Sequence, residues 1–296
     1  MDLTFECVLF VTGLAFGSFL NVCIGRIPRE RSVATPGSHC PVCGAFIRWR
    51  DNIPLVSWAL LRGRCRDCGA HISWRYPAVE LLTGVLFAAC LAWFGMTWLA
   101  LKFCVFCFLL VGLIFMDAET GLLPREFTYP GILLGLGLSW LAPGDTSGTE
   151  FLLRLYGVHL SATRVSLLDS AIGAILGAGF FYLAWAIYYL ARKRHGIGFG
   201  DVALMAMSGA FLGLKLTLLV LFSAPVLAVL YSVLMLIGQA RLTPAGNTND
   251  DSEAGVPPRA SFLTQEISFG VFLGSCSLGA IFFGEWIWRW YLGSFR

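Results

Sequence analysis

Two aspartates stand at the ends of apolar runs, where a carboxylate is costly unless it is paired, hydrated or used. Asp117 closes one run, and Asp201 follows Gly198-Phe199-Gly200 and opens another. Two such acids brought together would share one proton. The ionised acid could then take a proton from water while the neutral acid protonates a peptide carbonyl. The pattern therefore indicates aspartyl-type peptide hydrolysis, with Gly198 and Gly200 allowing close approach of backbone and substrate.

Each acid also has a purely structural interpretation. Asp201 could cap the N-terminus of its helix, where a carboxylate accepts free backbone N–H groups. Asp117 could be an ordinary residue of the loop that follows its helix. The residue types alone leave both interpretations open.

Four of the ten cysteines form two Cys-x-x-Cys pairs in a polar segment. Cys40 pairs with Cys43 and Cys65 with Cys68, with 21 residues between the pairs and a glycine after each. This spacing predicts a closed four-thiolate zinc site with a structural role. Free thiols or disulfides are the alternatives, and the reducing side that the segment should face disfavours disulfides. A segment this short would need the metal to hold its shape.

The composition indicates the environment in which these residues lie. The chain has 296 residues, of which 57% are hydrophobic and 13% charged, whereas a soluble domain is about a quarter charged. We therefore predict an all-α polytopic membrane protein. Arginines are concentrated between Arg26 and Arg75, which indicates a basic face on one side of a membrane rather than nucleic-acid binding. Acids precede the first apolar stretch and arginines follow it, so we predict a retained helix with its N-terminus outside.

The apolar runs predict about eight transmembrane helices. They occupy residues 8–24, 81–116 (two helices with a turn near 95–97), 127–141, 170–191, 202–240 (two helices with a turn near Gly213) and 267–283. Lys102, the one charge in the second run, is expected to extend its ammonium group toward the membrane surface. The polar stretches 142–168 and 241–266 are predicted to be loops, the first with room for a short amphipathic helix.

These patterns divide the chain into three predicted parts. They are a first transmembrane helix at 1–28, a cytoplasmic zinc domain at 29–76 and a membrane peptidase domain at 77–296. Two crossings separate Asp117 from Asp201, and an even number of crossings returns the chain to the same side. The two carboxylates are therefore predicted to share the cytoplasmic face, the side that the arginines favour.

Several short motifs follow one another in a specific order along nearly the whole chain. They are Gly17-Ser18-Phe19-Leu20-Asn21-Val22, the two cysteine pairs with Asn52-Ile53-Pro54-Leu55-Val56-Ser57-Trp58 and Arg62-Gly63-Arg64-Cys65 between them, Arg75-Tyr76-Pro77-Ala78-Val79-Glu80, Asp117 followed by Leu122-Leu123-Pro124, Gly198-Phe199-Gly200-Asp201, and Ser268-Phe269-Gly270. In this order the motifs resemble those of the type IV prepilin peptidases. These are bifunctional leader peptidases and N-methyltransferases of the GxGD aspartyl type.

The resemblance implies that Asp117 and Asp201 are the catalytic pair and that the four paired cysteines bind zinc. It implies a bacterial inner-membrane enzyme whose substrates are type IV prepilins or type II secretion pseudopilins. Their short basic leader would be cleaved after a glycine at the cytoplasmic face. The new N-terminus would then be methylated with S-adenosylmethionine. The motifs name no residue that holds this methyl donor, and they do not set the oligomeric state.

Two positions depart from the family pattern. Arg125 stands where the family usually has an acid, and Ala203 stands where it usually has a lysine. They keep open a second hypothesis, a non-catalytic membrane scaffold that uses the zinc module for docking. A third hypothesis is a peptidase that no longer methylates.

Overall fold

The computed structural model describes residues 3–193, 198–242 and 268–293, so most of the predicted loop 241–266 lies outside the described residues. The described parts are helical, with two 3-10 turns and two isolated β-bridges in the segment between the first two long helices. The helices are α1 (Leu3–Arg26), α2 (Val56–Leu60), α3 (Arg75–Phe94), α4 (Trp98–Thr120), α5 (Arg125–Leu141), α6 (Ser147–Leu155), α7 (Ala162–Arg192), α8 (Phe199–Leu242) and α9 (Phe269–Gly293). The predicted all-helical class is confirmed for this part of the chain.

Six of the described helices, namely α1, α3, α4, α7, α8 and α9, are long and apolar enough to cross a membrane. The chain is therefore a multi-pass membrane protein. The predicted turn near 95–97 lies between α3 and α4, and α8 is interrupted at Gly213, where φ is 75° and ψ is −178°. Helix α5 has 17 residues and coincides with another predicted crossing. The total of eight crossings stays a prediction.

The predicted loop 142–168 is more ordered than its composition indicates. It contains α6, the short helix that the sequence left room for, and α7 begins at Ala162 instead of about Ser170. The buried carboxylate of Asp169 accepts hydrogen bonds from the Thr149 hydroxyl (2.6 Å) and the Leu214 backbone N–H (3.3 Å). An acid with interior partners can lie inside a membrane helix, which is why hydropathy alone placed the start of α7 too late.

Helices α7 and α8 approach each other through glycines. A Cβ atom added to Gly173 would lie 2.7 Å from the carbonyl oxygen of Gly209, and one added to Gly209 would collide with the backbone of Gly173. Small residues at such crossings let two backbones come into van der Waals contact. This contact fixes α8, which carries Asp201 in its first turn, against the rest of the bundle.

Replacing Gly209 with alanine is expected to destabilise the protein by about 1–3 kcal/mol, because the methyl group has no space at this crossing. Gly238→Ala in the same helix is the matched control, since a Cβ atom at Gly238 meets nothing within 4 Å. The control should be neutral or slightly stabilising, as alanine favours helices over glycine. Thermal unfolding in detergent measures both variants. Equal midpoints would contradict the close approach of α7 and α8.

The prediction for Lys102 is wrong. Its side chain does not extend to a surface but is buried, with 4% of the residue exposed. It interacts electrostatically with Asp169 in α7, and its Nζ lies 5.9 Å from the ring centroid of Phe103. The negative charge of Asp169 attracts the ammonium group through the interior of the bundle, which offsets part of the cost of burying it.

Candidate active site

Asp117 lies in the last turn of α4 and is held there by three hydrogen bonds. Its Oδ2 accepts the backbone N–H of Val271 (3.0 Å), and its carbonyl oxygen accepts the Ser268 hydroxyl (3.0 Å) and the backbone N–H of Gly121 (2.8 Å). Gly121 ends the helix in the left-handed conformation, which glycine adopts without strain. The start of α9 thus fixes an aspartate that is only 4% exposed, so Asp117 is part of the packed bundle rather than a loop residue.

Asp201 is the third residue of α8. Its backbone N–H donates to the carbonyl oxygen of Gly198 (3.2 Å), and its carboxylate interacts with the backbone of the same glycine. The carboxylate therefore does help to close the start of the helix, as the structural interpretation predicts. It also interacts electrostatically with Asp117, and capping by itself does not require that neighbour.

The two aspartates meet at one end of the bundle, as the count of crossings predicts. Leu123, just after α4, packs against the starts of both α8 and α9. A Cβ atom added to Gly200 would lie 2.8 Å from the Leu123 Cβ. One added to Gly270 would lie 3.0 Å from the Leu123 Cδ1 and 2.7 Å from the Asp117 Oδ2. Gly200 thus makes room for Leu123, whereas a Cβ atom at Gly198 would meet nothing closer than 3.7 Å.

The four predicted metal ligands come together in the segment between α1 and α3. Each cysteine pair forms a tight turn closed by the glycine that follows it. The N–H of Gly44 donates to the Cys40 carbonyl oxygen (2.9 Å). The N–H of Gly69 donates to the Cys65 carbonyl oxygen in the same way (3.0 Å). Both glycines have φ near +70°, at 71° and 72°, a conformation that other residues adopt only with strain.

The sulfur geometry fits a tetrahedral metal site. The four Sγ atoms lie within 4.8 Å of one another, and the Cys40 and Cys68 sulfurs are 3.8 Å apart. Zinc–sulfur bonds of about 2.3 Å in a tetrahedron place two sulfurs about 3.8 Å apart. Cys40, Cys43, Cys65 and Cys68 could therefore hold one metal ion after shifts of about an ångström or less.

The pKa values of two of these thiols are shifted in opposite directions. The backbone N–H groups of Cys43 and Val42 lower the pKa of Cys40 to about 6. At Cys68 the backbone N–H of Ala70 acts in the same direction, but burial and the three neighbouring thiols outweigh it and raise the pKa to about 12. A cysteine thiol must lose its proton to bind metal. A metal ion would therefore replace the proton that Cys68 keeps in the metal-free protein.

Polar contacts that the sequence patterns do not predict join the cysteine module to the membrane helices. Glu80 in α3 accepts the backbone N–H of Leu55 through its Oε2 (2.8 Å). Arg75 at the start of α3 pairs with Glu119, with Nη1 and Oε1 2.6 Å apart. Glu119 lies in α4, so this ion pair joins the cysteine module to the helix that carries Asp117. A carboxylate inside an apolar run, such as Glu80, was the signal that could have pointed to these contacts.

A second ion pair lies within the module itself. The Arg66 guanidinium donates to both carboxylate oxygens of Asp51, at 2.9 and 2.6 Å. This fork of hydrogen bonds lowers the pKa of Asp51. The pair connects the second cysteine turn to the 3-10 turn at Trp49–Asp51.

These features define a multi-pass membrane protein with a two-carboxylate site at one end of its helices and a four-thiolate module beside it. The chain belongs to the type IV leader peptidase family, whose family model matches residues 104–233. A second model, the bacterial peptidase A24 N-terminal domain, matches residues 11–94.

Curated relatives match over most of their length. A prepilin leader peptidase/N-methyltransferase of Myxococcus xanthus is 40% identical over 86% of this chain and 70% of its own. The protein of the same name from Aeromonas hydrophila is 33% identical over 97% of this chain and 94% of its own. That from Neisseria gonorrhoeae is 33% identical over 78% and 82%. No solved structure matches this chain.

Proposed function

We propose that this protein removes the short basic leader from type IV prepilins or type II secretion pseudopilins and then N-methylates the new N-terminus. The observation that carries the peptidase part is the electrostatic interaction between the carboxylates of Asp117 and Asp201, which come from different helices. The names of relatives at 33–40% identity support both activities.

Asp117 and Asp201 would share one proton and divide the work of hydrolysis. The ionised carboxylate takes a proton from a water molecule, whose oxygen attacks the scissile carbonyl carbon. The protonated carboxyl gives its proton to the carbonyl oxygen. The resulting diol collapses as the C–N bond breaks. One diol hydroxyl returns its proton to the carboxylate that had protonated the carbonyl oxygen, and the leaving amine takes a proton from the acid that received it from water. The Val271 N–H keeps the Asp117 carboxylate oriented throughout.

Methylation needs a donor and a neutral N-terminal amine. S-adenosylmethionine, when bound, supplies a methyl group on a positively charged sulfur. The N-terminal amine would accept this methyl group and lose one proton to solvent. The task of this chain is to hold the donor close to the amine that the aspartates release.

The four cysteines are proposed to bind one structural zinc ion. Four thiolates fill the tetrahedral shell and leave no position open for a substrate. We further propose that the module 29–76 and the aspartates lie on the cytoplasmic side of the inner membrane. The arginines of the module support this placement, since positive loops favour that side. The pairing of Arg75 with Glu119 puts the module at the end of α4 that carries Asp117.

The mass of a substrate N-terminus tests this function directly. A prepilin with a matched leader, incubated with the purified protein, is expected to lose its leader with or without S-adenosylmethionine. With the donor present, the processed chain should gain the mass of one methylene, as a methyl group replaces a hydrogen. Leader removal without this gain would leave a peptidase that does not methylate. No leader removal would favour the membrane scaffold.

A further inference from the structure

The short helix α2 of the cysteine module has an apolar face that the protein leaves exposed. Val56 and Leu60 are one helical turn apart, so their side chains lie on the same side of the helix, and they are 50% and 77% exposed. Ile53, just before the helix, is exposed as well. Single exposed apolar side chains are common on proteins, whereas a group of neighbouring ones marks contact with a membrane or a partner.

The opposite face of α2 is fixed to the module by side-chain hydrogen bonds. The buried Ser57 hydroxyl donates to the carbonyl oxygen of Arg50 (2.9 Å). The Nε1–H of Trp58 donates to the carbonyl oxygen of Ile72 (3.2 Å). Rotating α2 to bury its apolar face would break both bonds, so this face stays directed away from the module.

A third hydrogen bond places the start of α2 beside the first turns of α3. Glu80, the sixth residue of α3, accepts the backbone N–H of Leu55 at 2.8 Å. Helix α3 is long and apolar enough to cross a membrane, and Glu80 lies about 7.5 Å along its axis, at 1.5 Å per residue. Trp74, directly before α3, is exposed, and tryptophans are enriched at membrane–water interfaces. This arrangement puts α2 at the level of the membrane surface.

The charges beside the apolar face restrict what can cover it. Arg62 and Arg64 follow α2, are exposed, and form no ion pair with any residue that the structure describes. Basic side chains next to an apolar face match an anionic leaflet, in which phosphate groups lie above acyl chains. A basic peptide such as the substrate leader would be repelled. A second copy docked through the same face would also bring like charges together.

We propose that the apolar face of α2 docks onto the anionic phospholipids that surround the start of α3. Ile53, Val56 and Leu60 would lie among the upper parts of the acyl chains, while Arg62 and Arg64 bind lipid phosphates. The docking would hold the cysteine module against the membrane surface. It uses no catalytic residue and does not depend on the proposed function.

Hydrogen exchange of the full chain in nanodiscs, with one copy in each disc, tests this docking. Backbone amides of residues 53–64 are expected to exchange about tenfold more slowly in phosphatidylglycerol than in phosphatidylcholine, because each arginine near an anionic surface strengthens association about fivefold. The double variant Arg62→Gln, Arg64→Gln should lose this difference, and Leu60→Ser should exchange faster than wild type in phosphatidylglycerol. Val42→Ser is the matched control, since Val42 is exposed in the first cysteine turn, outside α2, and it should exchange like wild type.

The outcomes distinguish lipid from the other occupants. Equal exchange of residues 53–64 in the two lipids would overturn the proposal, and so would slow exchange that the arginine variant retains. Slow exchange only in discs that hold two copies, or only after a prepilin is added, would assign the face to a protein partner and would also overturn it. Zinc content equal to wild type shows that a variant keeps its module. If a variant loses zinc, the comparison of the two lipids with the wild-type protein decides.

Discussion

Replacing Asp117 or Asp201 with asparagine is expected to reduce leader removal by about 10³-fold or more. Asparagine keeps the size of aspartate, and its carbonyl oxygen can still accept the Val271 N–H that Asp117 accepts. It cannot take a proton from water or give one to the substrate. The loss should therefore be chemical rather than structural. Initial rates of leader removal, followed by mass spectrometry on a matched prepilin, measure it.

The design of this experiment uses a third acid and a double variant. Asp145→Asn is the control, because Asp145 precedes α6, away from the site, and pairs with Lys215 at 2.7 Å. Its rate should stay close to wild type. Because the two catalytic acids act as a unit, the double variant should be little slower than either single variant. Rates of Asp117→Asn and Asp201→Asn equal to wild type would show that these two acids are not the catalytic pair.

Replacing Cys65 with serine is expected to abolish zinc binding and to unfold the module 29–76. Structural zinc sites contribute about 10 kcal/mol or more to folding, and this module has few buried residues to compensate. Metal analysis and limited proteolysis of the module measure the two effects.

The same site should respond to acid. Cys68 keeps its proton until high pH in the metal-free state, with a pKa of about 12, so zinc must displace that proton. Zinc affinity should therefore weaken as the pH falls. Cys7→Ser is the control, since Cys7 lies in α1 outside the four-sulfur cluster, and it should keep full zinc content. A Cys65→Ser protein that retains zinc and resists proteolysis would contradict the structural role.

The sequence by itself determined the membrane helices and the identity of the reactive groups. Apolar runs define helices wherever every backbone group must be satisfied within the segment, which is why α3 ends and α4 begins where the turn near 95–97 was predicted. The Cys-x-x-Cys pairs were recognisable because their ligand geometry is local. The acids Asp117 and Asp201 were recognisable because a carboxylate is rare in an apolar run.

Only the tertiary structure decided what these groups touch. Asp117 is held by Val271, 154 residues further along the chain. Gly200 leaves the space that the Leu123 side chain occupies, and Leu123 comes from a distant part of the chain, just after α4. Lys102 was predicted wrongly for the same reason, since its interaction with Asp169 depends on how the bundle places α7 relative to α4. Hydropathy and spacing report each segment's own environment. Contacts between segments depend on helix packing, which brings together residues that have no relation in sequence.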